Sequence, residues 1–89
     1  MKINFTIIFA QGVSINTSGA AADAPAMLDV SSTTQGLLDP RMTETQRKLI
    51  SSPATGLLVF QTDETSEIYY YNRSSWESFV SGIVNMLQF

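Results

Sequence analysis

Cysteine and histidine are both absent from this 89-residue sequence. Without cysteine, the chain has no disulfide framework, no thiolate nucleophile and no thiolate metal ligand. Without histidine, it lacks the usual general base near neutral pH and the commonest transition-metal ligand. The serine and threonine hydroxyls therefore have no base to activate them, and we expect neither an enzyme nor a cofactor or metal site.

Charged side chains are scarce as well. They make up 15% of the residues, and 44% of the residues are hydrophobic, whereas a soluble domain has about 25% charged residues. The net charge is −3 and the basic residues are dispersed, so the chain has no basic stripe for a nucleic acid. A chain of this length builds one modest core, and without disulfides or metals it commonly associates with symmetric copies. We therefore expect a homo-oligomer and favour a trimer.

The two ends of the chain differ from the rest. Residues 1–11 contain Lys2 and a short apolar stretch, which fits either a degenerate export signal or an N-terminal strand with period-two alternation. Residues 81–89 have no charge and five large apolar side chains, so we expect this tail to be buried against another chain or the rest of the domain. No stretch reaches the roughly 18 apolar residues that a membrane span needs.

Residues 12–80 are predicted to form a β-rich module. The period-two patterns and turn residues predict strands at 12–17, 27–30, 56–62, 68–71 and 76–80. The consecutive apolar run 57–60 indicates a strand that is buried on both faces or lies at a subunit contact. Residues 72–75 are predicted to join the last two strands as a hairpin.

One short helix is predicted from about Thr43 to Ser51. Thr43-Glu44-Thr45-Gln46 is a capping-box pattern, in which the Thr43 hydroxyl accepts from the Gln46 amide and the Gln46 side chain reaches back. Pro53 limits the helix. The residues expected on its buried side are Met42, Leu49 and Ile50. The predicted fold class is thus mainly β (α+β), with strands and hairpins that are intertwined or packed in a homo-oligomer.

The candidate binding residues are an aromatic cluster and its neighbour, namely Tyr69, Tyr70, Tyr71, Asn72 and Trp76. Aromatic faces stack on sugar rings, so a stand-alone glycan-binding module is the alternative function. In a strand, however, Tyr69 and Tyr71 share one face and Tyr70 points to the other. We therefore interpret the cluster first as core or subunit contact.

The remaining polar candidates have structural interpretations. Arg41 is expected to hold loop carbonyls or a carboxylate such as Asp29 or Asp39, and recognition of an acidic ligand is the alternative. Thr43 and Gln46 are the capping residues. The acidic residues 63, 64 and 67 are interpreted as a solvated turn, because they match no calcium loop.

Six distinct fragments follow one another along the chain from Gly12 to Trp76. They are Gly12–Asn16, Ala26–Val30, Gly36–Leu38, Pro40–Thr43, Ser52–Phe60, and Tyr69–Asn72 with Trp76. Their order and spacing resemble a module found in secreted and phage-derived proteins of Bacteroidetes, including tail-fibre-like and cell-surface proteins. In similar sequences a turn glycine is common where Arg73 stands here.

The resemblance implies a non-catalytic structural or adhesive module of an extracellular or phage-derived fibre-like assembly. It implies that the chain is secreted, on the cell surface or part of a virion-like particle. The implied partners are further copies of the chain and other fibre or surface proteins, and a glycan remains the alternative ligand.

Overall fold

The computed structural model describes residues 12–80. The interpretations of residues 1–11 and of the tail 81–89 lie outside the described residues. Within the described part, the chain forms two compact units that divide between Leu37 and Leu38. The fold is mainly β with one short helix, which confirms the predicted fold class.

The first unit is built on two short parallel strands, β1 (Val13–Ile15) and β2 (Leu28–Val30). Val13 lies opposite Leu28, and Ile15 lies opposite Val30. Both strands are shorter than predicted. The first stops at Ile15 because the side chain of Asn16 bonds the backbone of the following loop and starts a turn.

The second unit is a four-stranded mixed sheet with one helix. In chain order its elements are β3 (Arg41–Met42), α1 (Glu44–Lys48), β4 (Leu58–Gln61), β5 (Glu67–Tyr71) and β6 (Trp76–Ser78). The strand order is β3-β4-β5-β6, with β3 parallel to β4 and the other neighbours antiparallel. Strand β3 was not predicted, because only two residues pair and the partner strand lies far along the sequence.

The predicted hairpin between β5 and β6 is present. Asn72 Oδ1 accepts hydrogen bonds from the backbone N–H groups of Ser74 and Ser75, both at 2.9 Å. Arg73 has φ +95°, a conformation that favours glycine. Strand β6 ends at Ser78, so the predicted strand 76–80 was too long.

The helix is also shorter than predicted. It ends at Lys48, with Leu49 as C-cap, because the N–H groups of Leu49 and Ile50 bond carbonyls only three residues back, at 3.1 and 3.2 Å. Such bonds tighten and terminate a last turn. Ser52 then takes φ +47° immediately before Pro53, and no helix continues there.

The predicted buried side of the helix was wrong for Leu49, whereas Met42 and Ile50 are partly buried. Leu49 is 77% exposed, whereas Arg47 is 5% exposed. In so short a helix, Arg47 is the residue whose side chain packs between α1 and β4. Leu49 is the C-cap residue and lies outside this helix–strand contact.

The described residues of one chain enclose very little apolar core. Among residues 12–80, Val59 is the one fully buried hydrophobic residue, and the other buried side chains are those of Arg47, Gln61 and Ser78. The large apolar side chains that remain exposed are Val13, Ile15, Met27, Leu28, Val30, Leu37, Leu38, Leu49, Leu57, Leu58, Phe79 and Val80.

Candidate functional site

Among residues 12–80, the four-stranded sheet has one face covered by α1 and one face, called the open face, that no other described helix or strand covers. Side chains alternate along a strand, so Val59 and Gln61 of β4 lie on the covered face together with Tyr69, which pairs with Val59. Leu58 lies on the opposite face with its partner Tyr70. The apolar run 57–60 is therefore buried on one face of the sheet only. Its exposed residues fit the second predicted role, which is a subunit contact.

Arg47 organises the covered face. Its guanidinium carbon lies 4.2 Å from the centre of the Tyr69 ring and 5.4 Å from that of Trp76, both within cation–π range. Its Nε donates to Gln61 Oε1 at 2.8 Å. No local pattern around Arg47 predicts its burial, and the polar Gln61 at the end of an apolar run is the one sequence signal that could have indicated a buried polar partner.

Gln61 connects the guanidinium to the turn between β4 and β5. It is fully buried, at 0% exposure. Its Nε2 donates to the carbonyl oxygens of Asp63 and Thr65, at 2.9 and 3.3 Å. The amide therefore uses both its acceptor and its donors. These hydrogen bonds offset the free-energy cost of burying a polar side chain.

The aromatic candidates do not form one platform. Tyr71 and Trp76 make an edge-to-face contact at 5.4 Å, and Tyr69 and Trp76 are near the Arg47 guanidinium. Tyr70 is on the open face, and the side-chain oxygen of Asn72 is used inside the hairpin turn. The arrangement thus gives no support to sugar stacking by the cluster as a whole.

The open face carries a small polar and aromatic group around Tyr70. The Tyr70 hydroxyl donates to Glu77 Oε2 at 2.7 Å, and its ring meets that of Phe79 edge-on at 5.8 Å. The hydrogen bond to the Glu77 carboxylate, with desolvation and the negative charge, raises the pKa of Tyr70 above its ordinary value of 10.0. Arg41 pairs with Phe60 on the same face, so this face is apolar with a charge at each end.

The three structural candidates lie in β3 and at the start of the helix. Thr43 Oγ1 accepts from the Gln46 N–H at 3.2 Å, and Gln46 Oε1 accepts from the Thr43 N–H at 2.9 Å, so both halves of the capping box are present. Arg41 Nη1 donates to the carbonyl of Asp39 at 3.0 Å, which is a loop-carbonyl contact of the expected kind. Asp63 accepts from the Glu44 N–H at 2.8 Å.

The first unit has an unusual distribution of polar and apolar residues. In β1 and β2 the apolar residues are exposed, and the alternate polar residues, Ser14 and Asp29, are partly buried. The polar face is covered by the loop that follows β1: Ser14 Oγ donates to the Ala20 carbonyl at 2.8 Å, and Asp29 Oδ2 accepts from the Asp23 N–H at 2.8 Å. The apolar face is the side of this small sheet that the loop does not cover.

Two other classes of site are not found among residues 12–80. No group of three acidic residues there comes close enough to hold a metal ion. The helix in the same part of the chain is too short and too polar to cross a membrane.

Comparison with known proteins gives one assignment. A family model described as phage tail like trimerisation region matches residues 14–87. Neither the curated proteins nor the solved structures contain a match. The match spans most of the chain and both compact units, so the protein belongs to the phage tail-like trimerisation family.

Proposed function

We propose that the chain is a non-catalytic structural module that assembles three copies of itself within a phage tail-like fibre. The observation that carries this proposal is the pattern of burial. Within residues 12–80, one apolar side chain is fully buried and many are exposed, so this part of a single copy encloses little apolar surface to stabilise it alone.

Association of copies would reverse that balance. Full burial of a Val, Leu or Ile side chain contributes about 1.5–3 kcal/mol. Val13, Ile15, Leu28 and Val30 lie together on one face of the first unit, and Leu58 and Phe79 are exposed in the second. Exposed apolar patches of this kind mark association surfaces. The family assignment supports three as the number of copies.

The phage tail-like description of the family supports a place for this chain in a virion-like particle or a related fibre-like assembly. Attachment to other fibre or surface proteins, adhesion and secretion are parts of the same proposal. The resemblance to Bacteroidetes proteins remains a prediction. A glycan-binding role has no support, because the aromatic side chains that it needs are divided between the two faces of the sheet.

The experiment is a mass measurement on the full-length chain. Size-exclusion chromatography with light scattering, and native mass spectrometry across a range of micromolar concentrations, should give a particle three times the 9.8 kDa protomer mass. A monodisperse monomer throughout that range would refute trimerisation. Turnover of glycosides by the trimer would refute the non-catalytic role.

A further inference from the structure

We propose that the apolar face of the β1–β2 sheet lies at the three-fold axis, where it packs against the same face of two further copies. We define the axial face as Val13, Ile15, Leu28 and Val30. This inference rests on the proposed trimer and adds which surface closes it. The occupant of the axial face is thus a second and a third copy of this chain.

The first argument is that the axial face requires a cover. Val13 lies beside Leu28, and Ile15 beside Val30, so the four side chains form two layers on one side of the sheet. The exposed fraction is 36% for Val13 and 58% for Leu28 in the first layer, and 56% for Ile15 and 42% for Val30 in the second. Parallel sheets are normally buried on both faces, and two strands alone are not independently stable.

The second argument is the hydrogen bonding of the opposite face. Asn16 Oδ1 accepts from the N–H groups of Ser18 and Gly19, at 3.1 and 2.7 Å, and Asn16 Nδ2 donates to Ser14 Oγ at 2.7 Å. Together with the Asp29 contact to Asp23, these bonds fasten the loop onto the polar face. The loop is committed to that side, and the axial face is the one left for a partner.

The third argument comes from symmetry and charge. A three-fold axis brings identical residues of the three copies together, so any charge near the axis would meet its own equivalents and repel them. The axial face has no charged residue, and the one charge of the two strands, Asp29, points to the other side. The open face of the second unit is less suited, because Arg41 and Glu77 lie on it.

The direction of the strands fits the same arrangement. β1 and β2 are parallel to each other, and copies related by rotation about an axis all run the same way along it. Each layer would then contain the same two side chains from every copy: Val13 with Leu28, and Ile15 with Val30. Such layers interdigitate like the interior of a domain.

Single cysteines test the proposal directly, because the chain has no cysteine of its own and any disulfide must join two copies. Val30→Cys places a thiol on the axial face. Ser14→Cys places one on the opposite face of the neighbouring strand and is the matched control. After oxidation of the purified trimer, or treatment with a short bismaleimide, Val30→Cys should give a covalent dimer beside remaining monomer, and Ser14→Cys should give almost none.

The reactivity of each thiol with N-ethylmaleimide is measured in parallel. A trimer in which Val30→Cys crosslinks no more than Ser14→Cys would overturn the axial placement and leave the proposed function intact. A Val30→Cys thiol that neither crosslinks nor reacts would show that another segment or protein covers the face, and would also overturn it. A wild-type chain that is monomeric would refute the proposed function and this inference with it.

A second pair of variants does not depend on crosslinking. Val30→Asp and Val30→Asn have nearly the same shape and differ in charge. At the axis, three carboxylates would meet and repel each other. On dilution, the Val30→Asp trimer should therefore dissociate at a protein concentration at least tenfold higher than that at which the Val30→Asn trimer dissociates. Equal dissociation of the two variants, with circular dichroism like that of the wild type, would contradict the axial placement.

Discussion

Replacement of Arg47 should destabilise the second unit more than any other single change of a basic residue. Two contributions are lost together in Arg47→Ala. A hydrogen bond that involves a charged group contributes about 1.5–3 kcal/mol, and the guanidinium bonds Gln61 Oε1 at 2.8 Å in a buried position. The cation–π contacts with Tyr69 and Trp76 contribute about 1–2 kcal/mol when they are desolvated.

These terms are not additive, because they share one side chain, and we expect Arg47→Ala to lower the free energy of unfolding by about 3 kcal/mol. Arg47→Lys keeps the charge but not the planar group, so about half of that loss is expected. Lys48→Ala is the matched control. Lys48 is the next residue of the same helix, and its ion pair with Glu44 is exposed, with 62% of the Lys48 side chain accessible, so the expected change is below about 0.5 kcal/mol.

The assay is urea unfolding at one fixed protomer concentration, because assembly makes apparent stability depend on concentration. Trp76 is the single tryptophan, and its fluorescence reports on this cluster. An Arg47→Ala midpoint indistinguishable from that of Lys48→Ala would refute the reasoning.

Gln61→Glu separates hydrogen bonding from charge at the same place. A carboxylate would face the Arg47 guanidinium, but it would also oppose the carbonyl oxygens of Asp63 and Thr65, which now accept from Gln61 Nε2. We expect Gln61→Glu to be less stable than the wild type near neutral pH. Stabilisation by this variant would show that attraction between the new carboxylate and the Arg47 guanidinium is the dominant effect.

Three further predictions follow from backbone geometry and from one titrating group. Gly12→Ala should destabilise the first unit by about 1–3 kcal/mol, because a Cβ there would collide with the Ala26 carbonyl; Gly36→Ala, with open space around it, should stay within about 0.5 kcal/mol of the wild type. Arg73→Gly should raise the free energy of unfolding by about 0.5–1 kcal/mol, because φ is +95° there. Tyr70→Phe should reduce the loss of stability in alkali. The folded-state pKa of Tyr70 is raised above 10.0. The protonated Tyr70 hydroxyl therefore makes its full contribution to the free energy of unfolding below pH 10.0, and this contribution is lost as the pH rises through the higher folded-state pKa.

Urea midpoints at matched protomer concentration measure the glycine and arginine variants, and a pH series from neutral to alkaline measures the tyrosine variant. Equal midpoints for Gly12→Ala and Gly36→Ala would contradict the steric argument. A lower midpoint for Arg73→Gly would mean that the arginine side chain contributes more than its backbone conformation costs. Parallel pH curves for Tyr70→Phe and the wild type would rule out the effect of the hydrogen bond to Glu77.

Local sequence determined the features whose partners are local. The capping box of Thr43 and Gln46 and the hairpin turn at Asn72 involve side chains that bond backbone groups three residues away or nearer, so composition and spacing suffice to predict them. The period-two patterns, the turn residues and the apolar run 57–60 together placed five of the six strands within a few residues. The low charge and the apolar run 57–60 indicated an association surface for the same reason, since hydrophobic surface is additive and needs no geometry.

Tertiary structure alone decided which face of each element is covered. The burial of Arg47 depends on Gln61, Tyr69 and Trp76, which lie on three strands far along the chain. The exposure of the axial face depends on the loop after β1 closing over the polar side of the sheet instead. Alternation specifies that a strand has two different faces, but which face meets a neighbour is set by pairings between distant segments, and a short sequence pattern contains no information about those pairings.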